Sequence, residues 1–221
     1  MFEEFRRIGK LLFQEGLVDA CGGNISVREG DKVFITHRDA MLGDLREKDI
    51  VEVGLEAGEQ DSSASREINA HRAVYKQSGA KAIVHAHPAN TIAVSITDNK
   101  IVPQDAEGTF VFKSAPILRV RSSIGSEETA RMLPAFLGNE NVVAVLKGHG
   151  SFAIGDNLEE AYKRTSALEN SCKVTVAVRA SGGRSAPRDR ERELGRPPQR
   201  KPAIPPALGV MDRSRNRSRN R

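Results

Sequence analysis

The sequence lacks tryptophan and has only two tyrosines and eight phenylalanines in 221 residues, 5% aromatic in all. It therefore has little of the basic, aromatic-studded surface on which nucleic-acid bases stack. No apolar run approaches the roughly 18 residues of a membrane span. The opening MFEEFRRIGK is too charged for a secretory leader, so a cytoplasmic setting is expected. Two cysteines, Cys21 and Cys172, with no CxxC pair, exclude a disulfide framework. Both are expected to be small packing residues with free thiols. Neither GxxxxGK[ST] nor GxGxxG occurs, which excludes the two common nucleotide-phosphate loops.

The charge that is present lies unevenly. The chain carries a formal +5, but residues 182–221 hold twelve Lys/Arg against four Asp/Glu, which leaves −3 for residues 1–181. The same forty residues hold six of the ten prolines and end in RSRNRSRNR. Without apolar periodicity they cannot offset the entropy of ordering. A folded domain over 1–181 and a basic, Pro/Arg-rich disordered tail over 182–221 are expected. Nucleic acid is a partner only if that tail supplies the contact; a tether, a solvated extension or an out-of-frame end has the same composition.

Within 1–181 the periodicity alternates between helix and strand. Phe2, Phe5, Ile8, Leu11 and Leu12 repeat at helical spacing until Gly16. NISVRE and KVFITH form a hairpin-like pair around Gly30-Asp31, and IVEVG is a third strand. SREINAHRAVYKQ is a helix with Ser65 expected as N-cap and Glu67 in the first turn. AIVHAH is a strand, PANTIAVSI a helix, APILRV a strand and SEETARMLPAFLG a helix broken near Pro134. VVAVLKG and SFAIG are strands before a long final helix from Leu158. The mixture is α/β; periodicity does not order the strands.

Of five histidines, three sit where a cation would be held. His85 and His87 are two apart in an apolar strand and project from one face. His149, between Gly148 and Gly150, follows another apolar strand. Three neutral imidazoles with an open fourth position suit a catalytic zinc site. By spacing alone, Glu67 is either a carboxylate base beside such a cation or a helix-start charge facing the dipole. His71, on the same helical face, is a packing or supporting residue or a further ligand. Gly22, Gly23 and Asn24 precede the first strand and Thr36 closes the second, a turn with backbone and side-chain donors suited to a phosphate or simply a tight turn.

Through GNISVR, SREINAHRAVY, IVHAHP and LKGHGSFAIGDNLEEAY, in that order, the chain resembles the class II aldolase and adducin head-domain family over about residues 3–178. The resemblance implies a three-layer α/β/α fold with a central, mostly antiparallel sheet, assembled as a homotetramer. It implies one zinc per subunit held by His85, His87 and His149, with Glu67 as acid/base and as a ligand when substrate is absent. Gly23, Asn24, Thr36 and Ser65 would hold a sugar phosphate. The implied reaction is reversible aldol cleavage of a ketose phosphate through an enediolate. A pentulose-phosphate 4-epimerase, a methylthioribulose-phosphate dehydratase or a non-catalytic adducin-like module would use the same scaffold.

The chain departs from the family pattern where the family has Gly after the threonine and this chain has His37, followed by Arg38, and where Arg66 replaces the second serine of the family's Ser-Ser-Glu run. The expected catalytic tyrosine is absent around PQDAEGTF, where Glu107 is the acid on hand. The family's late tyrosine and C-terminal lid have no counterpart either.

Overall fold

A computed structural model describes residues 1–138 and 140–183. From residue 184 on, the segment expected to be a disordered tail lies outside the described residues.

The first helix, α1 (Phe2–Gln14), buries Phe5, Ile8 and Leu12 on one stripe. It ends because Gly16 takes φ +67, a left-handed turn that costs glycine little. The Gly16 and Leu17 amides then bond back to Phe13 and Leu12, closing the helix carbonyls that would otherwise be unpaired. β1 (Asn24–Glu29) and β2 (Lys32–Thr36) form the expected hairpin around Gly30-Asp31. β3 (Ile50–Gly54) pairs with β2 at the sheet edge.

α2 (Ile68–Gln77) departs from expectation at its start. Glu67, not Ser65, is the N-cap, and its side chain makes no capping bond. Ser65 instead lies in a stretch paired to the end of β2, where its amide donates to the Thr36 carbonyl at 3.0 Å. That pairing holds Ser65 outside the helix and delays its start.

β4 (Ala82–Ala86) is buried at every position, as a strand covered on both faces must be. It leads through Pro88 into α3 (Ala89–Thr97). The next segment carries no readable period in the sequence. It forms the two-residue β5 (Lys100–Ile101) and the short α4 (Ala106–Val111), which is capped by Asp105. β6 (Ala115–Leu118) is followed by α5 (Glu127–Met132), which passes at Leu133–Phe136 into a 3-10 turn around Pro134. β7 (Val143–Leu146) and β8 (Gly150–Gly155) flank His149, and α6 (Leu158–Ala180) closes the fold.

The sheet order is β3-β2-β1-β4-β8-β7-β6-β5, antiparallel throughout except for the parallel β6–β7 pair. Alternation sends Val33, Ile35, Ile83, Ala144, Leu146 and Phe152 to one face, against Val74 and Tyr75 of α2 and Leu133. Ile25, Val84 and Ala86 face the other way, onto Phe5, Ile8 and Leu12 of α1 and Leu158 and Ala161 of α6. Farther along that face, Val143, Val145 and Ala153 pack on Val94 and Leu168. The result is the three-layer α/β/α arrangement with a mostly antiparallel sheet. Each fully buried Leu, Ile, Val or Phe contributes about 1.5–3 kcal/mol. Among the described residues no helix is long and apolar enough to cross a membrane. Cys172 is buried as expected, but Cys21 is exposed in the loop before β1.

Candidate metal centre

His85 shares the face of Ile83 on β4 because the two are two residues apart. Its register partners are Asn24 on β1 and Phe152 on β8. His87 lies one residue past the strand, its amide bonded to the Leu17 carbonyl. His149 sits in the turn between β7 and β8 and reaches the same end of the sheet. Ring centroids are 4.8 Å apart for His85–His87, 4.9 Å for His85–His149 and 4.8 Å for His87–His149. One donor nitrogen from each ring lies within 4.8 Å of the others.

The packing fixes these rings. His85 Nδ1 donates to the Ser151 carbonyl at 3.0 Å, which leaves Nε2 as the lone-pair nitrogen. Phe152 stacks on the ring with centroids 4.1 Å apart and planes at 18°. His87 is wedged between two glycines: a Cβ on Gly22 would strike its Nδ1, and one on Gly150 would lie 2.7 Å from its Cδ2. Burial pushes His85 well below its ordinary range, with the neighbouring imidazoles adding to the effect. Burial, then the His87 charge, lowers His149 to about 4. His87 is lowered by burial, partly opposed by Asp19. All three rings are therefore neutral near pH 7, the form a cation requires.

These residues fit zinc. The Nε2 atoms of His85 and His87 face each other at 3.1 Å; nitrogens on one tetrahedral zinc at about 2.0–2.1 Å would stand about 3.3 Å apart. The set offers imidazole only, with no competing thiolate.

Glu67 stands outside the group of three donors. Its carboxylate is buried at 4% exposure. One oxygen accepts the Gly125 amide at 2.9 Å, and the other has no partner. Burial raises its pKa, partly opposed by that amide. The loop carrying Gly125 also reaches His149, where the Ser123 backbone favours the charged ring. His71 does not join the cluster. It is fully buried, its Nδ1 hydrogen-bonded to Ser26 Oγ at 2.7 Å and its ring edge-on to Phe152. It is a packing residue.

The residues expected to hold phosphate meet at the same sheet end. Thr36 Oγ1 accepts the Ile25 amide at 3.3 Å, and the Ser65 amide reaches the Thr36 carbonyl. Asn24, beside His85 in the register, has a buried Oδ1 without a partner. Gly23 takes φ +83 and passes so close to the His85 carbonyl that a Cβ would lie 2.9 Å from it. Gly22 differs from expectation: its amide and that of Cys21 are taken by Asp19 Oδ1 at 2.7 and 2.8 Å and are not free for an anion.

Arg38 and Arg66 are exposed on the rim, Arg66 within 3.8 Å of Asp39. Tyr75 is buried against Ser26, Tyr162 bonds Glu15, and Glu107 is exposed on α4. Sequence reasoning does not reach the Ser151 carbonyl, the Phe152 stack or the Gly125 amide. The alternation of SFAIG places Phe152 opposite some strand, but only pairing shows which residue it meets.

Residues 3–176 match the family described as Class II Aldolase and Adducin N-terminal domain. An L-fuculose phosphate aldolase of Methanocaldococcus jannaschii is 31% identical over 178 residues, covering 79% of this chain and 94% of that protein. A methylthioribulose-1-phosphate dehydratase of Acidiphilium cryptum is 29% identical over 189 residues, covering 75% and 85%. The crystal structure of L-fuculose-1-phosphate aldolase from Thermus thermophilus superposes with a TM-score of 0.78 at 35% identity, covering 84% of this chain and 98% of that one. With this fold and these relatives, the chain belongs to the class II aldolase and adducin N-terminal domain family.

Proposed function

We propose that the protein is a zinc-dependent lyase that catalyses reversible aldol cleavage of a ketose phosphate. The observation that carries this is the convergence of three neutral imidazoles, with ring centroids no more than 4.9 Å apart, at the sheet end that also holds a buried carboxylate. His85, His87 and His149 would hold one zinc per subunit, which supplies Lewis acidity toward the substrate's carbonyl and hydroxyl oxygens. Glu67 moves the proton. In cleavage the bond between the carbon next to the carbonyl and the hydroxyl-bearing carbon beyond it breaks. That hydroxyl gives up its proton as its carbon becomes the aldehyde, and the electron pair stays on the ketone fragment as an enediolate. Glu67 delivers a proton to the enediolate carbon, so one proton is lost and one gained. In condensation its carboxylate removes the same proton. Burial favours this shuttle by raising the Glu67 pKa toward working pH.

Gly23, Asn24, Thr36 and Ser65 bind the phosphate and hold the reacting carbon near Glu67. A homotetramer belongs to the same reading, carried by the family resemblance, and the cytoplasmic setting expected from the sequence is part of the proposal. An alternative dehydratase activity draws support from the A. cryptum relative and from the two tyrosines, both engaged elsewhere.

The test combines metal analysis with product analysis on ketose 1-phosphates, L-fuculose 1-phosphate and methylthioribulose 1-phosphate among them. Wild type is expected to hold about one zinc per chain and to release a ketone phosphate and an aldehyde. His85→Ala loses the zinc, whereas Glu67→Gln keeps it and loses about 10²–10⁴ in turnover. Full activity in metal-free protein would falsify the proposal, and loss of water without carbon–carbon cleavage would favour the dehydratase.

A further inference from the structure

One buried carboxylate has no part in the site described above. Glu169 on α6 is 3% exposed. Its Oε1 accepts from the Asn90 amide at 3.1 Å and from Asn90 Nδ2 at 2.7 Å; its Oε2 accepts from the Thr91 amide at 2.8 Å and from Thr91 Oγ1 at 2.9 Å. Asn90 and Thr91 lie in the first turn of α3. The N-cap there, Pro88, has no side chain that can accept a hydrogen bond. First-turn amides have no partner within their own helix and need one from outside. A carboxylate 78 and 79 positions along the chain supplies it.

Both imidazole-bearing turns are tied to α3. His87 is separated from the first residue of the helix only by Pro88. Near the other end, Ser95 Oγ accepts the Gly148 amide at 2.9 Å while donating to the Ile92 carbonyl at 2.7 Å. Gly148, at φ +71, directly precedes His149. Moving the start of α3 would therefore move His87, and moving its body would pull on His149.

We propose that Glu169 is a positioning residue for the cation site, anchoring α3 so that His87 and His149 keep the separation that one ion needs. None of its four hydrogen bonds goes to a histidine. The proposal rests on the reading of the three imidazoles as ligands and requires no particular substrate. A glutamine at 169 keeps the volume but turns one acceptor oxygen into an amide, so donor faces donor at Asn90 or Thr91.

The test uses the full-length chain. Zinc affinity is measured by chelator competition, and the visible absorption bands of the cobalt-loaded protein report ligand geometry; circular dichroism of the metal-free protein follows folding. Glu169→Gln and Ser95→Ala are each expected to weaken zinc about tenfold and to shift the cobalt bands. Their combined effect should be less than the product, because both act through one helix. Ile8→Val, a core change on α1, should lower thermal stability and leave zinc affinity and cobalt bands as in wild type.

If Glu169→Gln does not fold, Ser95→Ala decides. Zinc affinity within twofold of wild type and unchanged cobalt bands in the folded variants overturn the proposal alone. A wild-type chain that binds neither zinc nor cobalt overturns it together with the reading on which it rests.

Discussion

Phe152 lies flat against His85, centroids 4.1 Å apart, because the antiparallel register of β4 and β8 sets the two residues opposite each other. The contact gives the imidazole a planar rest while Ser151 fixes its tautomer. Phe152→Ala should cost about 3–5 kcal/mol by leaving a cavity. Phe152→Leu fills most of that space and should cost about 1–2 kcal/mol, yet still weaken zinc binding by freeing the ring. Urea denaturation and zinc titration of the leucine variant check this; undiminished affinity would mean that the stack orients nothing.

Gly150 is pressed between the Ala86 carbonyl and the His87 ring. Its Cβ position is already occupied by the Ala86 carbonyl and lies 2.7 Å from the His87 ring. Gly150→Ala should cost about 1–3 kcal/mol and reduce metal content by displacing His87. Gly79→Ala, at an open position with nothing within 4 Å, should change stability by less than about 0.5 kcal/mol. Thermal midpoints and metal content of the two variants are the comparison.

His71 should make the protein acid-sensitive. Burial lowers its pKa from 6.5 to about 3. Between those values the unfolded chain binds a proton that the folded chain refuses, so stability falls as pH drops below about 6.5 and levels off near 3. At pH 5 the loss from this residue is about 2 kcal/mol. Denaturation of wild type and His71→Gln across pH 4–8 should show a shallower acid decline in the variant. Parallel curves would contradict this account.

Arg72 ties α2 to the loop before it. Its guanidinium meets both Asp61 oxygens at 2.5 and 2.6 Å, and its Nε donates to the Gly54 carbonyl at 2.9 Å. Arg72→Leu strands a partly exposed carboxylate and a carbonyl, a loss of about 2–3 kcal/mol after allowing for the solvent that reaches Asp61. Arg72→Lys keeps the charge but not the fork, and should lose roughly half as much. Urea midpoints give the order; a lysine variant as weak as leucine would show that geometry, not charge, carries the tie.

Most elements are legible in the sequence because apolar spacing repeats faithfully in them. The α1 stripe, the Gly30-Asp31 hairpin and the break at Pro134 each follow from local steric rules. β5 and α4 are not, since two and six residues are too short to carry a period. Ser65 has the local preference of an N-cap, and its Oγ still accepts the Glu67 amide at 3.3 Å, but the helix starts after Glu67 while the Ser65 amide pairs with the Thr36 carbonyl, a strand away. Cys21 escapes a sequence reading because exposure is a property of the finished surface.

The sequence alone determined which chemical groups are available: three imidazoles beside glycines or at apolar strand ends, and an acid at a helix start. It could not determine their distances, since a two-residue step along a strand fixes His85 relative to His87 but says nothing of a third ring sixty-two positions later. Only the sheet order, with β4 between β1 and β8, brought His149 to the pair and set Asn24 on one side of His85 and Phe152 on the other. Side-chain direction is written locally in backbone periodicity; proximity is decided when distant strands bury their apolar faces together and hydrogen bonds lock the register.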